Sequence, residues 1–298
     1  MGKAICRRRE ASGRPEALRS AELVPSVRLW LQHGQQPPAH RDRAPRWRRT
    51  VPRRVGGPSP GRRGRDHRPD LSGKLAIVTG ATGQLGRVMV RTLGVAGADV
   101  AVHYRSDRDG AEELCEELRA MGRRACAVYA DIGDAASINA MKASVEVELG
   151  LPDIVVTNAV QQYEWTTVLE QAEADYESQF RTCVMQNVLM AKAFVPAMQS
   201  KNWGRFIGIS TECAMQVFPS QSAYTSGKRG MDAIIRVLAK EVGKDNITVN
   251  QVAPGWTISD SGRENGSAEQ DSEATRSYVE NTKTPLNRRG TDQEIGDC

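Results

Sequence analysis

From Leu71 onward the chain alternates two textures, short runs of apolar and β-branched residues and longer stretches with helical periodicity. KLAIVTG reads as a strand and GRVMVRTLGVAG as the helix that follows it. ADVAVHY reads as the next strand, and GAEELCEELRAMG as a helix closed by its glycine. RACAVYAD, PDIVVTNA, GRFIGIST and ITVNQVAPG supply further strands, with helical segments between them. Such near-continuous apolar runs are those of parallel strands buried on both faces. Strand–helix alternation sustained over about 180 residues predicts an α/β fold, a doubly wound parallel sheet, across residues 71–298.

Residues 1–70 are a different material. They hold 17 Arg and one Lys against six acidic residues, a net of +12, and nine of the fourteen prolines. The rest of the chain carries 23 basic and 30 acidic groups, a net of −7. Arginine-heavy, proline-broken sequence with few aliphatic residues does not bury enough surface to offset its ordering entropy, which predicts a disordered leader. Three roles fit it: a transit peptide, against which the prolines argue; a nucleic-acid-binding arm; or a non-native extension from an upstream start codon. Nucleic acid is the less favoured partner.

No apolar run reaches the roughly 18–20 residues of a membrane span, and MGKAICRRRE has no apolar signal core. The cysteines (Cys6, Cys115, Cys126, Cys183, Cys213, Cys298) form no C-x-x-C pair, and with four histidines no zinc spacing arises. The expectation is a cytoplasmic protein with no metal site.

The first strand runs into Thr79-Gly80-Ala81-Thr82-Gly83-Gln84-Leu85-Gly86 and straight into a helix. A glycine triplet alone is a weak signal. At a strand–helix junction of a βαβ pattern it becomes a phosphate cradle: Gly80 for the tight turn, Gly83 for close backbone approach to a pyrophosphate, Gly86 for helix–strand packing. The second strand ends His103-Tyr104-Arg105-Ser106, where Arg105 suits the 2′-phosphate of NADP(H), with Arg87 as a second cation. Asp107 keeps NAD(H) possible, because an acid there would bind a ribose 2′-hydroxyl.

AYTSGKRG places Tyr224 and Lys228 one helical turn apart, a spacing that a solvated helix face also produces. What changes its weight is company. LSGKLAIVTG, the glycine turn, ADIGD, TNAV, GRFIGIST, AYTSGK and NQVAPGWT stand in one order, and in that order the sequence resembles the short-chain dehydrogenase/reductase family over nearly all of residues 71–298. The resemblance implies a Rossmann-type NAD(P)-binding domain that interconverts a carbonyl and an alcohol. It implies Tyr224 as general acid or base and Lys228 as the group that lowers its pKa and grips the nicotinamide ribose. Asp131 and Ile132 fall beside the adenine, Asn158 and Ala159 at the family's Asn-Asn-Ala-Gly, and Pro254 and Gly255 beside the nicotinamide. With Gly80, Thr82, Gly83, Gln84, Leu85, Gly86 and Arg105 these make the cofactor set.

Three departures from the family pattern stand out. Where the family places a serine thirteen residues before the tyrosine, this chain has Thr211, with Ser210 as fallback; a threonine hydroxyl has the same donor and acceptor capacity. Cys183 occupies the place of the family's relay asparagine, Asn187 lying one turn further on. The chain ends at Cys298, before the helix and last strand that the family usually adds, which predicts a sheet lacking that strand. The function expected is an NADP(H)-preferring carbonyl/alcohol oxidoreductase, a homo-oligomer if the fold is complete, acting on a small molecule. Gln161, Glu212 and Gln216 are candidate pocket groups that hint at a polar substrate, and the acidic stretch between Trp256 and Pro285 is a candidate substrate lid. Alternatives are a cofactor-binding protein without turnover, impaired by Cys183, and nucleic-acid binding through the leader.

Overall fold

The computed structural model of the chain describes residues 69–258, 272–282 and 284–298. The expected leader therefore falls outside the described residues except for its last two, as does half of the expected lid, residues 259–271 and 283.

Six strands form one sheet: β1 (Leu75–Val78), β2 (Asp99–Tyr104), β3 (Ala125–Tyr129), β4 (Ile154–Thr157), β5 (Gly204–Ile209) and β6 (Ile247–Val252). Their order is β3-β2-β1-β4-β5-β6, and every neighbouring pair is parallel. The chain winds outward from β1 to β3, then crosses back to β4 and winds the other way. Beyond the carboxyl ends of β1 and β4 the connections diverge, and such a switch point opens a crevice in any doubly wound sheet.

Alternate strand residues go to opposite faces, and both faces are covered. Ala76 and Val78 of β1, with Val100 and Val102 of β2, join Met89 and Val90 of helix α1 (Gln84–Val95) and Leu114 and Leu118 of α2 (Arg108–Ala120). Leu75 and Ile77 point the other way, with Val155 and Phe206. There they meet Ile138 and Met141 of α3 (Ala135–Glu148), Met190 and Phe194 of α5 (Gln186–Lys201) and Met231 and Ile235 of α7 (Ser222–Val242). The doubly wound reading of the apolar runs holds, strand by strand.

Between α4 (Glu173–Gln179) and α5 the backbone widens into a π-helical segment, Phe180–Met185. A π register disturbs the i→i−4 ladder, and side chains four residues on serve its carbonyls: Gln186 Nε2 donates to the Thr182 carbonyl at 2.5 Å and Asn187 Nδ2 to that of Cys183 at 2.7 Å. Short helices complete the fold: α6 (Cys213–Gln216), α8 (Glu273–Thr282) and α9 (Asp292–Gly296). The last of these packs on α1, where Gln293 Nε2 donates to Thr92 Oγ1 at 3.1 Å. No described helix is long and apolar enough to cross a membrane.

The glycine turn sets the contact of α1 with β1. Gly80 has φ +62°, a left-handed conformation that favours glycine, and a side chain on it would lie 2.9 Å from Ala159 Cα. A Cβ on Gly86 would stand 2.1 Å from the Gly80 carbonyl oxygen, backbone that cannot give way. A Cβ on Gly83 would meet only that same oxygen, at 3.3 Å. Gly86→Ala is therefore expected to destabilise the fold by about 2–3 kcal/mol, as overpacking does, and Gly83→Ala by less than about 1 kcal/mol. Urea unfolding midpoints compare the two; equal losses would refute the assignment of the packing role to Gly86.

Candidate active site

A cleft of about 460 Å³ opens at the switch point. Gly80, Thr82, Gly83, Gln84 and Leu85 form one wall, Arg105 and Ile132 another, and Asn158 and Ala159 a third. The turn at its floor is held from below by His103. Its Nδ1 accepts from Gly80 N–H at 3.0 Å, its carbonyl accepts from Ala81 N–H at 3.0 Å, and Nε2 lies 3.1 Å from the Ala130 carbonyl. One neutral imidazole, with the proton on Nε2, thus ties β1, β2 and β3 together beneath the cradle. Burial pushes its pKa down to about 4.

Thr79 pins the crevice between β1 and β4. Its hydroxyl accepts from the backbone N–H groups of Asn158 (2.9 Å) and Ala159 (3.1 Å) and lies 2.6 Å from Gln186 Oε1. Asn158 Nδ2 returns to the carbonyls of Thr79 and Gly80, and Gln186 Nε2 to that of Ala159. Asn158 and Ala159 so shape the cleft from both backbone and side chain.

A second pocket, of about 370 Å³, lies beyond β5 and is lined by Thr211, Glu212, Cys213, Gln221, Tyr224 and Gly255. Five aromatic rings share its wall: Tyr163, Trp165, Tyr224, Trp256 and Tyr278. Gln161 lines both cavities. Helix α7 carries Tyr224 into the pocket and buries Lys228 beneath it, with Lys228 Nζ donating to the Ile209 carbonyl at 2.6 Å and lying 5.7 Å from the phenol ring centre. Gly227 allows the helix this close, since a Cβ there would press the Gln179 backbone at 3.0 Å.

The electrostatics differ from expectation. Burial outweighs every other influence on Tyr224 and pushes its pKa above the ordinary tyrosine range; the Thr211 hydroxyl beside it pulls the other way. Burial also lowers the pKa of Lys228. In the protein alone burial of the phenol and of the ammonium prevails over their mutual influence, so the charged form of each group is disfavoured.

The remaining sequence candidates divide. Ser210 donates its N–H to Val252 and does not line the pocket, whereas Thr211 does. Gly86 packs under the cradle rather than lining it. Asp131 does not line the cleft; its Oδ1 accepts from Gly133 N–H, and its Oδ2 is 4.0 Å from Arg105. Pro254 is buried, its carbonyl accepting from Glu212 N–H, while Gly255 lines the pocket. Cys183 sits in the apolar core, and Asn187 is bonded to Thr157 and the Cys183 carbonyl. Arg87 donates to the Thr82 carbonyl at 3.4 Å, and Asp107 caps α2 by accepting from Gly110 N–H at 3.0 Å. Gln216 supports Glu212 from outside the pocket. Sequence reasoning missed His103, which reads as one more residue of an apolar strand. It also missed Tyr163, Trp165, Gln221 and Tyr278, which no local motif marks.

Sheet order, glycine cradle and tyrosine pocket define the class, an oxidoreductase that works with a bound dinucleotide. The family model described as short chain dehydrogenase matches residues 74–270, and the chain belongs to that family of NAD(P)-dependent enzymes. Among curated relatives it is 32% identical to the 3-oxoacyl-(acyl-carrier-protein) reductase of Pseudomonas aeruginosa, over 76% of this chain and 87% of that protein. It is 30% identical to versicolorin reductase 1 of Aspergillus parasiticus, over 76% and 81%. In fold it is similar to a gluconate 5-dehydrogenase of Burkholderia cenocepacia solved with NADP and tartrate. That match has a TM-score of 0.68 and 23% identity, and covers 77% of this chain and 87% of that one.

The state of His103 gives stability a pH signature. Its folded pKa, about 4, lies below its ordinary 6.5, so the folded chain disfavours the proton. The stabilisation is fully present above pH 6.5 and lost as pH falls toward 4, by at most about 3 kcal/mol. Urea midpoints measured across that window should fall more steeply for the native chain than for His103→Asn. Parallel profiles would refute the clip.

Proposed function

We propose that this chain interconverts a carbonyl and a secondary alcohol with NADP(H). The observation that carries the reading is the meeting of Thr211 and Tyr224 in one pocket, with Lys228 a helical turn below. When bound, the dinucleotide supplies or accepts the hydride. Its fit rests on the cradle: a Cβ on Gly80 or Gly86 would collide with backbone, and Gly83 leaves the turn bare toward the cleft.

In the reducing direction the Thr211 hydroxyl donates to the substrate carbonyl oxygen and fixes its position. The Tyr224 hydroxyl gives its proton to that oxygen as the carbon receives hydride, leaving an alcohol and a phenolate. The phenol is protonated at neutral pH, as a proton donor must be, while its burial opposes the phenolate that the step leaves behind. Lys228 stands near enough to steady the phenolate, and its Nζ has donors beyond the one given to Ile209 with which to hold a ribose hydroxyl. In the oxidising direction the same phenolate takes the alcohol proton.

Arg105 supports NADP(H) over NAD(H). Its guanidinium lines the cleft and is half exposed, with Nη1 donating to Gln161 Oε1 at 2.8 Å. Asp107, the acid that would favour NAD(H), is engaged as the cap of α2. The bound NADP of the Burkholderia neighbour is in keeping with this choice.

Fluorescence titration is expected to show tighter binding of NADPH than NADH. Arg105→Ala should weaken NADPH about tenfold to a hundredfold, the worth of charge-assisted hydrogen bonds to a phosphate, while changing NADH little. Preference for NADH in the native chain would overturn the cofactor reading.

Tyr224→Phe should lower kcat for carbonyl reduction at least about a hundredfold with NADPH binding retained. Thr211→Ser should keep most activity and Thr211→Val should lose it. Native chain that binds NADPH yet reduces no carbonyl would instead mark a cofactor-binding protein without turnover, a reading that the thiol at Cys183 keeps open.

A further inference from the structure

We infer that the substrate is a neutral aromatic carbonyl compound carrying a phenolic hydroxyl, an inference that rests on reading the second pocket as the substrate site. The chain is poor in aromatic residues, with five Trp, six Tyr and four Phe among 298 residues, yet five of these fifteen rings line this one pocket. Trp165 and Trp256 both line the pocket and remain 45% and 41% exposed. Trp165 is stacked on Tyr224 with ring centres 5.9 Å apart and planes at 25°. Trp256 is held upright between the Arg289 guanidinium, 3.9 Å from its ring centre, and the edge of Tyr278 at 5.3 Å. Rigid rings set around the acid recognise a flat ring better than a flexible chain, because little order is lost on either side. A volume of about 370 Å³ lies near the lower end of the range for small-molecule sites, the scale of a fused bicyclic compound.

Two polar groups set the substituents. Gln221 lines the pocket, and its Oε1 is buried without a hydrogen-bond partner. It stands just before α7 yet caps none of that helix's N–H groups. A buried amide oxygen left unmatched is costly, and a substrate hydroxyl would supply the missing donor once the Gln221 side chain turns its amide toward the pocket. Glu212, beside Thr211, accepts from the Tyr278 hydroxyl, from Trp256 N–H at 3.2 Å and from Gln216 Nε2 at 3.0 Å. Among the described residues no Lys or Arg pairs with it. Lys228 lies under Tyr224 and Arg289 behind Trp256, so the carboxylate is the charge that lines the pocket itself, and an anionic substituent placed beside Thr211 would meet a like charge.

Calorimetry on the full chain at saturating NADPH tests this with four probes: 6-hydroxy-1-tetralone, 6-methoxy-1-tetralone, 1-tetralone-6-carboxylate and the saturated bicyclic 2-decalone. The hydroxytetralone is expected to bind at least about tenfold tighter than each of the others. Gln221→Met should bring the hydroxy and methoxy compounds within about twofold of each other, and Trp165→Leu should shrink the advantage over 2-decalone. Any of the three comparison probes matching the hydroxytetralone in the native chain overturns the inference, whatever the variants do. Turnover, followed by loss of NADPH fluorescence, separates the two claims. Selective binding without oxidation of NADPH counts against the proposed reaction and leaves the ligand class standing. Oxidation of NADPH by 2-decalone or the carboxylate, with equal binding, does the reverse.

Discussion

The arrangement depends first on a hydroxyl group at the end of β1. Two parallel neighbouring strands whose connections diverge expose backbone N–H groups where those connections part, and a crevice there must satisfy them without filling itself. Thr79 does this from below, taking two N–H groups of the β4 connection on one oxygen that also meets Gln186. Gln186 spends its own amide on Thr182 and Ala159, so the network closes with every member matched. A fully satisfied buried network holds one geometry, whereas a partly satisfied one would leave the crevice free to collapse or drift. The polar groups of the two strand ends are thus satisfied beneath the cleft.

The same economy explains the π-helical segment. Gln186 and Asn187 both reach back one turn to carbonyls of the widened stretch, and both also serve a strand end, Gln186 at Thr79 and Asn187 at Thr157. The irregular turn is thus stapled to β1 and β4 at the height of the crevice. Helix α7 presses against it through Gly227, which places buried Lys228 close to buried Cys183. A thiol there adds bulk without a strong donor or acceptor. Burial raises the pKa of Cys183, so the group beside the ammonium is neutral.

Much of this was legible in the sequence, for reasons particular to each part. The strands are apolar runs because both faces are buried, so periodicity and length alone mark them. The cradle is legible because only glycine tolerates the contacts at Gly80 and Gly86. The Tyr224–Lys228 pair and Thr211 were singled out through the family resemblance, since their spacing alone also suits a solvated helix face, and the fold brings Thr211 and Tyr224 into one pocket. His103 was not, because a lone histidine between valine and tyrosine carries no sign that its ring reaches the turn after another strand. The aromatic wall was not, because Trp165, Trp256 and Tyr278 come from separate segments, and only the tertiary fold brings them to one place. The burial of the Tyr224 phenol was not legible, because sequence shows which charges exist but not how dry the site is.

Glu212 shows how the two cavities become one site. Its N–H is held by the Pro254 carbonyl, its carboxylate by Trp256 N–H and the Tyr278 hydroxyl, and its neighbour Thr211 faces Tyr224. Glu212 therefore bonds the strand end that presents the proposed catalytic hydroxyl to the Gly255 turn and to helix α8. On the far side Arg289 donates to the carbonyls of Trp256 and Thr257, and Gln84 of the cradle donates to Ile258, joining the same turn to the glycine loop. Gln161 closes the circuit from the other rim, with its carbonyl on Gln179 and its side chain on Arg105. A group that binds in the cleft and one that binds in the pocket thus contact a shared frame. Hydride transfer demands that kind of frame, because the donor and the acceptor carbon must be held at contact distance by elements that do not yield independently.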